Sequence, residues 1–359
     1  MTVCILGNSL TALTLAKTLA NKNINVDLLT QKKNFKLSKT RTLGISKSNS
    51  DFFNENIINI EKFLWRLKKI EIFTDNLKNE KLINFVNNEE QLFSIIKNYE
   101  LYKTLEKSLS KNKFFKKKIS SYKDLSFINN YKLVINCDYS HIITKKYFSK
   151  KIIKKYNSFA YTTIINHKKI LNNVATQIFT KRGPLAFLPI SNNKTSVVYS
   201  VHDTFDKKKD NIEEMIKIYN IKYKIKKFNN IDKFELKSLN LRSYFHNNIL
   251  AFGDLLHRIH PLAGQGFNMT IRDIKILTKI ISNKKKLGLP LDSLINDEFE
   301  KIVKHRNFIF SNGIDFVYEF FNIERKMKNN ILSKSVQLAG NNHLIKRVFT
   351  KIADKGILL

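Results

Sequence analysis

A chain of 359 residues, 43% of them apolar, can bury a sizeable core and has the length for two domains, or for one large α/β domain with an inserted lobe. Its net charge of +34 comes from 64 Lys+Arg against 30 Asp+Glu, spread along the whole chain and mostly Lys amid abundant Asn and Ile. With no helix-turn-helix, zinc or RNP-like pattern beside it, that charge does not make a nucleic-acid binder, though it does favour an anionic membrane face.

In chain order, Thr2 to Leu6 reads as a buried strand, Leu10 to about Asn21 as a helix, and Asn25 to Thr30 as a second strand. This is a βαβ opening, with no charged n-region or cleavage site before it, so no signal peptide is expected. Lys32 to Arg41 is basic and loop-like, and Asn54 to Trp65 reads as a helix. Ile70 to Tyr102 alternates strand-like pieces with Asn-rich turns, and Glu90 to Leu109 reads as helical. Tyr131 to Cys137 is another buried strand ending at Asp138. Ala160 to Leu188 carries strand patterns, Thr195 to Val201 is a strand, and Asn211 to Tyr219 a helix. Beyond Ile249–Phe252, a strand, the chain is mostly helical. Cys4 and Cys137 each lie in an apolar run and read as small core residues in a reducing compartment. No apolar run approaches the roughly 20 residues of a membrane span.

The densest signal follows the strand at 249–252. Gly253, Asp254, Pro261, Gly264, Gln265, Gly266 and Asn268 punctuate one loop, and Thr270 to Ile281 then repeats apolar residues at helical spacing. Gly264 and Gly266 let backbone N–H groups approach a ligand, and the helix start adds a positive dipole end. Asp254 can accept hydrogen bonds from sugar-like hydroxyls. The loop suits a polyhydroxylated, electron-rich cofactor.

At the N-terminus, Gly7-x-Ser9-x-x-Ala12 stands where a dinucleotide fingerprint would stand. Gly7 supplies the turn and Ala12 the small packing residue. Ser9 replaces the second glycine, and Thr30 stands where an acidic ribose ligand is expected.

Four segments in order resemble one family: Gly7–Ala12, Arg41–Ser46, Gly183–Pro189 and Gly253–Asn268. The similarity continues through Phe299–Arg306 and Asp315–Phe321. The chain resembles the flavin hydroxylases of ubiquinone biosynthesis, within the FAD-dependent aromatic monooxygenases. The resemblance implies an α/β fold: a discontinuous Rossmann-like FAD-binding domain, an inserted mixed-sheet substrate domain, and a helical C-terminal region. Their bounds would be 1–70, 90–158 and 240–300; 71–89 and 159–239; and 301–359. FAD would be the cofactor, and NAD(P)H the co-substrate that reduces it. An oxygen atom of O₂ would then go to an electron-rich phenolic ring, the protein orienting it and excluding water.

By the same resemblance, Gly7, Ser9, Ala12, Thr30 and Asp138 serve the nucleotide half, and Arg41 sits near the phosphates or ring. Gly253 and Asp254 serve the ribityl chain. Pro261, Gly264, Gln265, Gly266 and Asn268 run along the isoalloxazine, with His260 and Pro261 lining it. Gly183–Pro189 belongs to the substrate-domain sheet roofing the flavin, with Pro184, Leu188 and Pro189 as substrate residues. Tyr139 and Leu255-Leu256 depart from the family's small residues. These departures motivate a rival, a non-catalytic relative acting as a partner in the same pathway; another keeps the flavin but takes a small soluble aromatic. His257 and His260 read as structural, hydrogen-bonding loop carbonyls or flanking the flavin. Leu344, Ile345, Val348, Phe349 and Ile352 form an apolar stripe with a basic opposite face. It is either a membrane-surface helix suited to a polyprenyl substrate, or a helix packed on its own domain. The expected location is the cytoplasm, peripheral at the inner membrane face, with a lipophilic phenolic substrate and other ubiquinone-pathway proteins as partners.

Overall fold

The computed structural model describes residues 2–356 apart from 32–37, 79, 87–90, 121–124, 203–210 and 328–329, and leaves out the side chain of Ala263. Six residues of the basic 32–41 stretch and residue 90 thus lie outside the described residues. The chain opens as β1 (Thr2–Leu6), α1 (Leu10–Asn21) and β2 (Asn25–Thr30). Next come β3 (Thr42–Ser46), α2 (Lys47–Asn56), β4 (Trp65–Leu67), β5 (Lys69–Thr74), β6 (Lys81–Val86), β7 (Phe93–Lys97), α3 (Asn98–Leu109) and β8 (Phe115–Ile119). The middle holds β9 (Val134–Asn136), α4 (Ile142–Tyr147), β10 (Lys151–His167), β11 (Val174–Thr180), β12 (Gly183–Ser191), β13 (Lys194–His202), α5 (Ile212–Ile218), β14 (Ile225–Phe228) and β15 (Asp232–Leu241). The chain ends with β16 (Phe245–His246), β17 (Ile249–Ala251), β18 (His257–Arg258), α6 (Gly266–Lys286), α7 (Ser293–Glu324), α8 (Ile331–Asn341) and α9 (His343–Lys355).

Two expected helices are corrected. The helix at 54–65 ends at Asn56. Asn54 Nδ2 donates to Glu61 Oε1 (2.7 Å) and its Oδ1 accepts from the Ile60 N–H (2.8 Å), so the Asn-rich stretch satisfies itself locally and the helix stops. The helix at 90–109 begins only at Asn98. Phe93–Lys97 is β7, an aromatic and β-branched run paired antiparallel with β3 and β4.

A six-stranded sheet runs β16–β17–β9–β1–β2–β8. Pairing is parallel throughout except at the β16 edge. Its central strands are apolar and buried on both faces, as in a sheet covered by helices on each side. A nine-stranded, mainly antiparallel sheet carries β18, β15, β10, β13, β12, β11, β5 and β6 in that order, with β14 beside β10. A third sheet, β3–β7–β4, lies between. β10 starts at Lys151 and β15 ends at Leu241, so the expected bounds at 158 and 240 each fall inside a strand of the nine-stranded sheet. The main core joins the parallel sheet to α1, α3 and α6. Leu255 and Leu256 belong to it, each no more than 1% exposed, which explains large residues at that turn. Burial pushes the Cys4 and Cys137 thiols well up, so neither is poised as a nucleophile.

Candidate flavin site

The order of the parallel sheet reverses at β1. Strand β2 lies on one side, reached through α1, and β9 on the other. Open α/β sheets bind ligands at such a switch point, outside the carboxyl ends of the strands. Leu6, Asn136 and Ala251 are in register there. Gly7 follows at φ +105°, and a Cβ on it would lie 3.0 Å from Asp138 Cβ. Gly253 follows at φ +67°, where a Cβ would meet Thr11 Cγ2 at 2.6 Å. Both glycines are therefore demanded by conformation and by contact. They gather Gly7, Asp138, Gly253 and the start of α1 into one crevice, and Asp254 stands exposed at its rim.

The nucleotide half differs from what the family pattern implies. Ser9 is the N-cap of α1, its hydroxyl accepting from the Ala12 N–H at 3.2 Å. The Asp138 carboxylate accepts from Ser140 N–H (2.8 Å) and Oγ–H (2.7 Å), shaping its own turn. Thr30 is buried, and its hydroxyl donates to the Gln31 carbonyl at 3.3 Å. Tyr139 receives the Lys151 ammonium at 2.9 Å and the Arg258 guanidinium over its ring. One buried polar atom here has no partner in the protein, Asn8 Oδ1, a residue sequence reasoning passed over.

The ring half is a braced turn. Gly264 at φ +62° donates its N–H to the Pro261 carbonyl (3.1 Å) and would lie, with a Cβ, 3.6 Å from the Gly44 nitrogen. The Asn268 side chain is fully committed to the protein. Its amide donates to the carbonyls of Gly44 (3.1 Å) and Gly264 (3.3 Å), and its Oδ1 accepts from Ser46 N–H and Asn49 Nδ2–H, both at 3.0 Å. The side chain ties the loop to β3 and α2 rather than reaching toward a ligand. Beside it, Gln265 is 3% exposed with an unpartnered Oε1, while a Cβ on Gly266, at the start of α6, would make an ordinary contact with Ile259 Cγ1 at 3.9 Å.

The two histidines are also corrected. His257 bonds a carboxylate, not a loop carbonyl: its Nε2 meets Asp273 Oδ2 at 2.6 Å, both side chains 1% exposed. His260 accepts from the Leu262 N–H at its Nδ1 (3.2 Å) and is enclosed between Tyr156 and Tyr318, with ring centroids at 4.9 and 4.3 Å. It presents no open face for lining a ring. Burial, aided by the charges of His202 and Lys154, pushes its pKa down to about 3, and burial takes His141 to about 4. Unfolded histidine takes a proton near pH 6.5, so the unfolded chain binds protons first as pH falls. Stability is held above that value and drops below it, by about 1 kcal/mol per pH unit for each histidine. Urea midpoints compared at pH 7 and pH 5 should show this drop, and His260→Phe should reduce the slope without removing it, because burial also lowers His141, His167 and His202.

Across the site stands one face of the nine-stranded sheet. Pro184 and Leu188 share that face, but Pro189 lies an odd number of residues away and faces the other side, as strand alternation requires. The three expected substrate residues are therefore not brought together. Sequence reasoning missed a cross-strand row, Asp232–Thr162–Val198–Ala186, paired directly from β15 to β12. Val198 and Ala186 are half-buried. The row faces β3 through the Thr42–Ser196 hydroxyl contact (2.9 Å), Ser196 pairing with Leu188. Asp232 accepts from Ser38 and Thr40, and Arg41 lies over the Phe234 ring at 5.5 Å.

These features fit FAD. Left-handed glycines clear the crevice, an exposed carboxylate stands beside it, Asn8 Oδ1 and Gln265 Oε1 are unpartnered at its two ends, and helices α1 and α6 both begin there.

A model of the FAD binding domain matches residues 139–286. The 3-demethoxyubiquinol 3-hydroxylase of Escherichia coli is 28% identical over 152 residues, which is 40% of this chain and 39% of that enzyme. A mitochondrial ubiquinone biosynthesis monooxygenase of Drosophila melanogaster is 23% identical over 219 residues, 50% of this chain and 46% of the relative. The matches thus span under half the length of these curated relatives. Among solved structures, p-nitrophenol 4-monooxygenase from Pseudomonas putida superposes with a TM-score of 0.77 at 12% identity, covering 100% of both chains. The Klebsiella pneumoniae protein HpxO, complexed with FAD and uric acid, gives 0.74 at 11% identity, over 99% of this chain and 96% of that one. The fold is that of these solved structures, and over residues 139–286 the chain is similar to the FAD binding domain.

Proposed function

We propose that the chain is an FAD- and NAD(P)H-dependent monooxygenase that hydroxylates a polyprenylated phenol ring in ubiquinone biosynthesis. The observation that carries the reading is the crevice at the β1/β9 switch point, with Asp254 exposed at its rim. FAD, when bound, supplies the electron relay from NAD(P)H to O₂. The protein's part is placement. Backbone N–H groups at the start of α1 between Ser9 and Thr11 face the pyrophosphate, those of Gly7 and Ala12 being held by Leu29 and Ser9, and Asp254 holds the ribityl hydroxyls. Backbone from Pro261 to Gly266 follows the ring. The row through Val198 and Ala186, with Leu188, roofs the aromatic substrate and keeps water off it.

In this reading the parallel sheet and its helices form a discontinuous FAD-binding domain, and the nine-stranded sheet is the inserted substrate domain. The protein works on the cytoplasmic side, at the membrane surface, beside other proteins of the pathway. Purified protein mixed with FAD should be yellow and should oxidise NAD(P)H faster when given a prenylated phenol. Asp254→Ala should weaken FAD about 10- to 100-fold, the cost of charge-assisted hydrogen bonds, without changing the melting temperature of the flavin-free protein. A colourless protein that takes up no FAD overturns the proposal.

The local engagement of Ser9, Asp138 and Thr30 supports a second reading, a non-catalytic relative serving as a partner in the pathway. It predicts no substrate-dependent NAD(P)H oxidation, and robust turnover dismisses it.

A further inference from the structure

Helix α9 packs with its polar side inward. Lys346, Thr350 and Asp354 are half-buried against the protein. Leu344, Val348 and Phe349 are 69%, 56% and 54% exposed. With Ile352 they form one continuous apolar strip. Of the five stripe residues only Ile345 is half-buried, so the structure favours the exposed stripe over the reading in which it packs on its own domain. The orientation is enforced from the protein side. The Asp354 carboxylate accepts from the Ser48 N–H at 2.8 Å, and its carbonyl accepts from the Ser46 and Ser48 hydroxyls, both at 3.0 Å. Asn342 caps the other end, accepting from the N–H groups of Leu344 (2.9 Å) and Ile345 (3.3 Å). A rotation that buried the stripe would break the contacts of Asp354.

We infer that α9 lies in the headgroup region of an anionic lipid bilayer, its apolar strip inserted and its cations on the phosphates. The chemistry is complementary. Arg347, Lys351 and Lys355 are exposed around the strip, and the helix's single acidic residue, Asp354, is engaged with α2. The chain as a whole carries +34. An apolar face with basic flanks on a helix of this kind lies in the plane of the interface. Among the described residues no helix is long and apolar enough to cross a membrane, so the association is superficial. The inference rests on α9 alone and requires no flavin, so its test reads binding and not turnover.

The full chain is mixed with phosphatidylcholine vesicles, with and without about a third phosphatidylglycerol, and sedimented. It should bind the anionic vesicles. A Val348→Glu/Phe349→Glu variant should lose at least about tenfold in partitioning, with its thermal melt unchanged because both side chains are exposed. Arg347→Glu/Lys351→Glu should lose the preference for phosphatidylglycerol. Failure of the wild-type chain to bind, or equal binding by the Val348/Phe349 variant, overturns the inference. So does a wild-type dimer that this variant disperses while vesicles bind neither, which would make a second copy of the chain the occupant.

Discussion

Gly183→Ala is expected to destabilise the protein by about 3–5 kcal/mol. Gly183 opens β12 at φ +135°, a region that L side chains rarely adopt, and an added Cβ would lie 2.1 Å from the Ser200 carbonyl oxygen. That oxygen is backbone of β13, so relief requires parting two paired strands. The turn before it would loosen too, because the Thr180 hydroxyl donates to the Gly183 carbonyl at 2.7 Å and meets the Tyr199 hydroxyl at 3.0 Å. Urea denaturation measures the effect. Gly313→Ala, inside α7 with nothing within 4 Å, is the control, and should be neutral or stabilising by up to about 1 kcal/mol.

Asp273→Ala is expected to cost a similar amount, about 3–5 kcal/mol. The carboxylate accepts from His257 Nε2 at 2.6 Å and from Asn307 Nδ2 at 3.1 and 3.3 Å, all of them buried. Its removal leaves two donors without partners away from water. It also frees the loop from α6 and α7, so FAD binding should weaken together with stability. A double-mutant cycle with His257→Ala, followed by urea unfolding, separates the pair's own energy from the loss at Asn307.

Where periodicity and punctuation are local, the sequence was legible. The βαβ opening, the strand around Thr195–Val201 and the C-terminal amphipathic helix all have their signals within a few residues. Helix α2 was misplaced because its N-terminal N–H at Ser48 is capped by Asp354, 306 residues away. β7 was read as helix because its partners β3 and β4 lie far off in the sequence. At the site, the sequence marked Gly264 and Gly266 as points of close backbone approach; Gly264 and Gly253 take left-handed backbone, which residue type alone did not specify. Residue type did not tell which polar groups face outward. Asn268 and Asp254 look equally suited to a ligand, yet one is committed to four protein groups and the other stands exposed. The row at Val198 and Ala186 was hidden because small and β-branched residues carry no chemical signature. Only register brings them together.

Ser46 carries a consequence of its own. Its N–H donates to Asn268, which braces the flavin loop, and its hydroxyl donates to Asp354, which anchors α9. One residue therefore bears on both the proposed flavin loop and the proposed lipid-facing helix. Free energy delivered by lipid at α9 has a two-bond route to the loop. Thermodynamic reciprocity then requires that, to the extent lipid tightens flavin, flavin tightens lipid by the same factor. If the proposed function holds, the protein would be most completely loaded with flavin at the membrane.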